Sequence, residues 1–176
     1  MCTLKVLETD RLILRWLSAS DAEFILELLN DPSWLHFIGD KGVRTTQEAR
    51  DYILKGPIEM YARLGYGPYL VELKKGGTPI GLCGLIKRGF LDDVDIGFGF
   101  LPRHWSKGYA YEAACAVMGY GKGVLGLRRI VAITSSDNDR SARLLERLGL
   151  RFEQMVKIPD QDQEVRLFAA EVKDSS

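Results

Sequence analysis

The chain has 176 residues, of which 46% are hydrophobic and 27% are charged. These values are typical of one soluble globular domain with its own apolar core. Lysine plus arginine and aspartate plus glutamate both number 24, so a general nucleic-acid-binding surface is not expected. No stretch approaches 18 consecutive apolar residues, and the charged N-terminus lacks the apolar segment of a signal peptide. We therefore expect a single domain over residues 1–176 that is cytoplasmic, monomeric or homodimeric, and without a membrane or nucleic-acid partner.

The three cysteines, Cys2, Cys83 and Cys115, are odd in number and far apart. Their spacing forms neither a metal-ligand pattern nor a disulfide framework. We therefore expect no metal site, and we expect small buried thiols.

Helix-capping patterns and turn residues divide the first half of the chain into elements. Ser18 followed by Asp21, and Thr45 followed by Glu48, are patterns that begin helices. Gly56-Pro57 interrupts the second helix, where a kink or a split is expected. The predicted elements are, in chain order, a strand over 12–16, a helix from Ser18 to about Asn30, a loop over 31–44, a second helix from Thr45, and strands over 69–73 and 79–87 joined by a hairpin turn over 75–78.

The second half alternates strands with helices before a final strand pair. Its predicted elements are a strand over 94–101, a helix over 110–121, a strand over 129–134, a helix from Asn138 that ends at Gly149, and antiparallel strands over 151–158 and 164–172. Gly97 and Gly99 weaken the first of these strands and indicate a bulge or a closely approaching ligand. Strands joined through a helix run parallel or diverge. The whole order predicts an α/β fold with mixed strand pairing.

The segment W-S-K-G-Y-A, Trp105–Ala110, joins the 94–101 strand to the following helix. A strand that turns into a helix N-terminus exposes several unpaired backbone N–H groups beside the positive end of the helix dipole. Gly108 lets the backbone approach a ligand closely, and Ala110 favours helix with the smallest side chain. The segment therefore predicts a phosphate-binding turn. The alternative is a plain loop that only connects the two elements.

The same six positions resemble the acetyl-coenzyme A signature of the GNAT superfamily of N-acetyltransferases, Q/R-x-x-G-x-G/A. Gly108 and Ala110 match, and Trp105 stands at the opening position. The ribosomal-protein N-terminal acetyltransferase branch commonly has W-G-K-G-Y-A-T-E-A here, from which Ser106 and Tyr111 depart. Ser106 fits this turn if its φ is negative and puts the turn in doubt if the site needs a positive φ. Residues 8–15, 79–85 and 138–149 also resemble that branch, so the likeness extends from about residue 8 to residue 172.

The resemblance implies the architecture and the cofactor site. The implied fold is the GNAT fold, an α/β (α+β) arrangement with a mixed, mostly antiparallel central sheet of six to seven strands and about four flanking helices. Its central strands splay apart, and the pantetheine arm of acetyl-CoA lies in the split. The residues implied to bind the cofactor are Phe100, Leu101, Trp105, Ser106, Lys107, Gly108, Tyr109, Ala110, Tyr111 and Asn138. Three of these residues have alternative roles, which are packing for Trp105, solvation for Lys107 and helix capping for Asn138.

Asp95 and Ser141 are the catalytic candidates. Asp95 aligns with an acidic residue common in the superfamily and is placed to accept a proton through a water molecule; the alternative is a solvated charge at a strand end. Ser141 matches a serine that in this branch lies near the thioester sulfur, as a general acid for the leaving thiolate; the alternative is helix capping. His36 is a third titratable candidate, although its apolar neighbours favour a packed loop.

The implied reaction is direct attack of a primary amine on the acetyl thioester. The sequence offers no Cys-His or Ser-His-Asp set, so no acyl-enzyme is expected. At pH 7, deprotonating a lysine amine costs about 4.6 kcal/mol, whereas an α-amino group costs about 1 kcal/mol. A site without a clear strong base therefore favours the α-amine of a protein or peptide N-terminus. A small-molecule amine (a polyamine, an aminoglycoside or an amino acid) and a non-catalytic acyl-CoA-binding module are the alternatives.

Overall fold

A single eight-stranded sheet organises the chain in the computed structural model, which describes residues 4–172. The strands are β1 (Lys5–Glu8), β2 (Leu12–Arg15), β3 (Pro68–Leu73), β4 (Pro79–Ile86), β5 (Val94–Phe100), β6 (Arg129–Ser135), β7 (Arg151–Lys157) and β8 (Glu164–Glu171). Their order across the sheet is β1-β2-β3-β4-β5-β6-β8-β7. The helices are α1 (Ala22–Asn30), α2 (Pro32–Phe37), α3 (Thr46–Ile53), α4 (Glu59–Leu64), α5 (Tyr109–Gly123) and α6 (Asp139–Arg147).

The sheet opens between β5 and β6. These two strands form the one parallel pair among the described residues, and they match at only two positions, Val94 with Ile130 and Asp95 with Val131. By contrast, β4 and β5 pair antiparallel over their full length, from Gly81–Phe100 to Ile86–Asp95. From residue 96 onward β5 therefore presents an unpaired edge toward β6. The predicted GNAT-type fold with splayed central strands is confirmed, with eight strands instead of six to seven.

Side-chain alternation along β5 assigns its two faces to different helices. Ile96 and Phe100 pack in the largest apolar cluster with Ala114 and Val117 of α5. Asp95, Gly97 and Gly99 have the opposite parity and face the side of the sheet that α1, α2 and α3 cover. The site that opens between β5 and β6 is thus bounded by α5 on one face and by the α1–α3 layer on the other.

One prediction for the first half of the chain is wrong. The 31–44 segment was expected to be loop, but residues 32–37 form helix α2. Asp31 is in extended conformation and its carboxylate accepts a hydrogen bond from the Ser33 amide at 2.9 Å, while Pro32 occupies the first helical position. Both are features of a helix start, because an Asp cap satisfies a free amide and proline lacks the amide that would need a partner.

The predicted interruption at Gly56-Pro57 is confirmed. Residues 54–58 form a π-helical segment that links α3 to α4. Proline lacks an amide hydrogen and its ring crowds the preceding turn, so a wider turn accommodates it where a regular α-helix does not.

The cysteines differ in burial. Cys83 is buried in β4, as expected, but Cys115 is exposed on α5, so the expectation of a buried thiol is wrong there. Cys2 lies outside the described residues. Within residues 4–172 no helix is long and apolar enough to span a membrane, and no cluster of three or more His, Cys, Asp or Glu side chains is arranged to hold a metal ion.

Candidate active site

A cavity of about 740 Å³ occupies the opening between β5 and β6, a size typical of ligand sites in proteins. Its walls come from α2, the end of β5, the turn before α5 with the start of that helix, the end of β6 and one face of α6. The lining residues are Ser33, Trp34, Phe37, Ile38, Phe98, Gly99, Phe100, His104, Trp105, Ser106, Gly108, Tyr109, Ala110, Tyr111, Ile133, Thr134, Asn138, Arg140, Ser141, Arg143, Leu144 and Arg147. No aspartate or glutamate is among them.

Residues 106–111, which comprise the turn before α5 and the first three residues of that helix, form one end of the cavity. Ser106 and Gly108 both have left-handed backbone conformations, with φ of 61° and 82°. Among residues 4–172, no side chain caps the N-terminus of the 15-residue helix α5, so its first amides have no side-chain acceptor from this part of the chain. Paired left-handed residues and free amides at a helix N-terminus form a concave anion site.

Ser106 therefore has a positive φ, the conformation that was expected to be unfavourable for a serine in this turn. A non-glycine residue in this conformation costs about 1–2 kcal/mol. The serine hydroxyl is hydrogen-bonded to the Arg140 guanidinium at 2.7 Å, which ties the turn to α6.

The carboxylate nearest to the α5 N-terminus is turned away from it. Glu112 accepts hydrogen bonds from the Thr9 hydroxyl at 2.6 Å, the Arg11 amide at 3.0 Å and the Arg11 side chain at 2.7 Å. Burial acts to raise the pKa of Glu112, but these hydrogen bonds outweigh it and lower the pKa. Because Arg11 neutralises the charge of Glu112, the positive end of the helix dipole remains available to an anion.

Three arginines of α6 line the same end of the cavity, and the sequence reasoning missed them. Arg140, Arg143 and Arg147 are spaced at i, i+3 and i+7, so they share one helix face. Two of them stack on aromatic residues of the turn, Arg140 on Trp105 at 4.6 Å and Arg147 on Tyr111 at 4.2 Å. That spacing was visible in the sequence as a signal, but only the fold brings this face against the turn.

The predicted cofactor residues separate into two groups. Phe100, Trp105, Ser106, Gly108, Tyr109, Ala110, Tyr111 and Asn138 line the cavity, whereas Leu101 and Lys107 do not. The Leu101 amide donates to Ile80 and its carbonyl accepts from the His104 amide, so both of its backbone groups are already paired. The Lys107 ammonium donates to the Arg103 carbonyl at 3.2 Å. The structure therefore does not bring Leu101 or the Lys107 side chain into the site.

Trp105 combines packing with positioning. Its indole N–H donates to the Phe100 carbonyl at 2.8 Å, and its ring packs against the main apolar cluster. The Arg140 guanidinium stacks on the same ring, with Cζ 4.6 Å from the ring centroid. Trp105 thus fixes the end of β5 relative to the turn.

Asn138 and Ser141 lie together at the start of α6. The Asn138 side-chain oxygen accepts from the Ser141 amide at 3.1 Å, which is an N-cap bond. Capping uses the oxygen of the Asn138 amide, and its NH₂ group is the part that remains for a ligand. Both residues line the cavity.

Asp95 lies below the cavity, at the last paired position before β5 and β6 part, and does not line it. The side chain is 1% exposed and accepts a hydrogen bond from Arg88 Nε at 2.5 Å. Its other carboxylate oxygen has no hydrogen-bond partner among the described residues. Burial raises the pKa of Asp95 to about 6, although Arg88 acts in the opposite direction.

The opposite end of the cavity is apolar and belongs to α2. Trp34 is 8% exposed, and its ring lies so close to Gly99 that a Cβ placed there would be 2.4 Å from the ring. Phe37 and Ile38 complete this wall. The Trp34 indole N–H is buried without an acceptor among the described residues.

A His–Asp contact joins the two sides of the opening. His36 Nε2 of α2 lies 2.7 Å from a carboxylate oxygen of Asp137, in the turn between β6 and α6. The Ser135 hydroxyl donates to the other Asp137 oxygen at 2.8 Å. The Ser135 hydrogen bond and then the His36 contact lower the pKa of Asp137, so Asp137 is a carboxylate at neutral pH.

His104 is the one imidazole that lines the cavity. Burial, with the positive charges of Arg103 and Lys107, lowers the pKa of His104. Its Nε2 is buried without a hydrogen-bond partner in residues 4–172. His104 is therefore neutral at pH 7, and it lies at the end of the short helical turn over 102–104 that precedes Trp105.

Known proteins share this sequence pattern and this architecture. Residues 11–151 match the family model described as acetyltransferase (GNAT) domain. The uncharacterized N-acetyltransferase YoaA of Bacillus subtilis is 30% identical over 154 residues, which is 86% of each chain.

Solved structures agree on the fold. A GNAT-family acetyltransferase from Bacillus anthracis has a TM-score of 0.77 at 26% identity, over 93% of this chain and 96% of that one. RimL, a ribosomal L7/L12 α-N-protein acetyltransferase in complex with coenzyme A, has a TM-score of 0.81 at 19% identity, over 96% and 98% of the two chains. At that identity the likeness to RimL concerns the fold alone. Because the family model and the Bacillus subtilis relative both span most of the sequence, the chain belongs to the GNAT family and is an acetyltransferase.

Proposed function

We propose that this acetyltransferase moves the acetyl group of acetyl-CoA to the α-amine of a protein or peptide N-terminus. The observation that carries the proposal is the charge distribution of the cavity. Three arginines and a free helix N-terminus lie at one end, an apolar wall lies at the other, and no carboxylate lies between them.

The lining residues fit coenzyme A. A diphosphate needs several donors around one point, which the amides of residues 106–111 and the α6 arginines supply. The pantetheine amides need strand-like backbone partners, and the unpaired edge of β5 beyond Asp95 offers them. At that edge, Phe100 and the NH₂ group of Asn138 add side-chain contacts to the ligand.

In the overall reaction, the amine nitrogen forms a bond to the acetyl carbon, the carbon–sulfur bond breaks, and the proton lost by nitrogen balances the one gained by the thiolate. Ser141 lines the cavity and no hydrogen bond of its hydroxyl occurs among the described residues, so it is our candidate proton donor. Asp95 is our candidate base, because a pKa of about 6 leaves it ionised at neutral pH. It lies below the cavity, so its role requires a bridging water molecule.

A protonated amine must lose a proton before its nitrogen can attack the thioester. Deprotonating a lysine amine at pH 7 costs about 4.6 kcal/mol against about 1 kcal/mol for an α-amine. No carboxylate lines the cavity to attract a polycation or a protonated lysine. RimL, whose fold this chain shares, acts on a ribosomal protein α-amine, which is consistent with the same class of acceptor.

The test is a comparison of acceptors at fixed acetyl-CoA. Coenzyme A release is measured with peptides that carry a free N-terminus, with the same peptides Nα-acetylated but containing lysine, and with spermidine. We expect kcat/KM to be highest for the free N-termini. A higher value for lysine side chains or for spermidine would overturn the α-amine assignment and leave the acetyltransferase assignment intact.

The non-catalytic alternative has its own readout. Thermal unfolding is followed with acetyl-CoA, NAD and ATP in parallel, and a ligand at about 100 times its Kd adds about 2.7 kcal/mol to the unfolding free energy. Stabilisation by acetyl-CoA without turnover of any amine would favour a binding module, and stabilisation by none of the three would contradict the proposed cofactor.

A further inference from the structure

We propose that Trp34 restricts this enzyme to short acyl groups, by closing the apolar end of the cavity against thioesters longer than acetyl. The inference rests on the proposed function, because it assumes that coenzyme A binds with its diphosphate at the turn before α5. It adds a determinant of acyl-donor specificity that lies outside the cofactor-binding turn.

The two ends of the cavity differ in chemistry. Its anion-binding groups, the turn over residues 106–111 and the α6 arginines, lie at one end, and α2 lies at the other. A ligand anchored by its diphosphate at the first end extends along the unpaired edge of β5 toward Gly99. The thioester and its acyl group then arrive where Trp34 meets Gly99.

Trp34 leaves little space at that point. A Cβ on Gly99 would lie 2.4 Å from Cζ3 and 2.9 Å from Cε3 of the indole, both shorter than any ordinary carbon contact. The ring therefore lies directly on the backbone of β5. Apolar atoms that enter a close-packed wall of this kind must displace it, since protein interiors have the density of organic crystals.

The wall is also held in place. The Asp31 carboxylate caps the first turn of α2 through the Ser33 amide and hydroxyl. The far end of the same helix is joined to the β6–α6 turn by the His36–Asp137 pair. Trp34 itself is 8% exposed and packs in the apolar cluster that includes Ile25 and Ile53, so moving the ring aside for a longer acyl chain would disrupt this packing.

The experiment measures how affinity depends on acyl length. Calorimetric titrations use coenzyme A and its acetyl, propionyl, butyryl and hexanoyl thioesters. For the native chain we expect Kd to rise at least about tenfold from acetyl- to butyryl-CoA, because overpacking a filled site is costly. Trp34→Leu and Trp34→Ala are expected to bring the two Kd values within about threefold of each other.

Three further variants separate ring size from other effects. Trp34→Phe keeps an aromatic wall and retains part of the discrimination, and it also reports on the fold if Trp34→Ala does not fold. Gly99→Ala is expected to push the indole into the cavity and to weaken the binding even of acetyl-CoA. Leu35→Ala truncates a neighbouring α2 residue that does not line the cavity and is expected to leave all ratios unchanged.

The outcomes distinguish this inference from the proposed function. Equal affinity of the native chain for acetyl- and butyryl-CoA, or full discrimination in Trp34→Leu, would overturn the role of Trp34 while coenzyme A binding stands. Failure of the native chain to bind coenzyme A or any of its thioesters would overturn the proposed function itself.

Discussion

The two ends of the cavity are built in different ways. The anion-binding end is made mainly from backbone amides of one short segment, residues 106–111, with a single helix face of arginines added. The apolar end is made from side chains of α2, which meets β5 through Trp34 and Gly99 and meets the β6–α6 turn through a pair 101 residues apart in sequence. A backbone site depends on local conformation, and a side-chain wall depends on packing between distant elements.

This difference predicts which substitutions affect which property. Changes in backbone conformation at the turn should reduce affinity for every coenzyme A thioester alike. Changes in the α2 wall should alter the relative affinities for thioesters of different acyl length. They should leave the affinity for coenzyme A itself unchanged. Asp95 lies below the cavity and belongs to neither end, and its contribution should appear in rate and pH dependence.

The largest effect is expected from Asp95→Asn. General base catalysis contributes about 10²–10⁴-fold, so kcat should fall at least about a hundredfold with little change in the Kd of acetyl-CoA. With a pKa of about 6, the native carboxylate accepts a proton only above that pH. Expressed per concentration of neutral amine, the native kcat/KM should therefore rise with pH through about 6, and this limb should be lost in the variant. Asp92→Asn, a neighbouring exposed aspartate, is the control.

Stability measurements show whether Asp95 is only structural. Its folded pKa lies above the ordinary value of 3.8, so the folded state holds the proton more tightly than the unfolded state. The free energy of unfolding should then fall by about 3 kcal/mol in total as pH rises from below about 3 to above about 7, and Asp95→Asn should flatten that slope. A flattened slope with an unchanged pH–rate profile would contradict the catalytic role.

Gly108→Ala tests the backbone end. Gly108 has φ of 82°, and a Cβ there would lie 3.2 Å from the Arg11 guanidinium. We expect the turn to relax and the affinity for acetyl-CoA to fall about 10- to 100-fold, measured by calorimetry. Gly126→Ala is a matched control, because Gly126 has φ of 67° with open space around it. Both variants should lose about 1–2 kcal/mol of stability, and an equal loss of affinity in both would argue against a specific role of the turn.

Substituting the three α6 arginines, which we call the arginine row, should have a smaller effect on cofactor affinity, and this effect should depend on salt concentration. Replacing Arg140, Arg143 or Arg147 by glutamine should raise the Kd of acetyl-CoA up to about tenfold each, since a hydrogen bond to a charged group contributes about 1.5–3 kcal/mol at most and less when exposed. Binding of S-acetylpantetheine, which lacks the nucleotide, should not change. Arg50→Gln on α3, outside the cavity lining, is the control. Equal losses for both ligands would indicate a structural role for the row.

Much of the anion-binding end could be predicted from the sequence because its signal is local. The spacing of Gly108 and Ala110 after a strand indicates the turn whatever the rest of the chain does. The splayed strands were also expected, and the two-position pairing of β5 with β6 bears this out. Leu101 shows the limit of such reasoning, because its amide is taken by Ile80 of β4, a pairing that no local motif reveals.

The apolar end could not be predicted in the same way. The 31–44 segment was expected to be a loop because Pro32, Gly39 and Gly42 are helix breakers, and the Asp31 cap became apparent only in the structure. A six-residue helix has little stability of its own, and α2 exists because Trp34 packs on the sheet at Gly99. The sequence marked Gly99 as a point of close approach, and the approaching group in the structure is an indole of the same chain.

The smallest expected effect concerns Ser106, where local strain and a long-range contact oppose each other. Ser106→Gly removes the cost of φ at 61° and should raise the free energy of unfolding by about 0.5–1 kcal/mol, net of the greater freedom of glycine in the unfolded chain. Ser106→Ala keeps the strain and deletes only the hydroxyl that holds Arg140, so it should lower stability slightly. If the hydroxyl positions Arg140 for the cofactor, both variants should weaken acetyl-CoA binding by a similar factor of about two to five. Chemical denaturation and calorimetry measure the two quantities, and a Ser106→Gly variant that loses stability would show that the turn does not store strain at this residue.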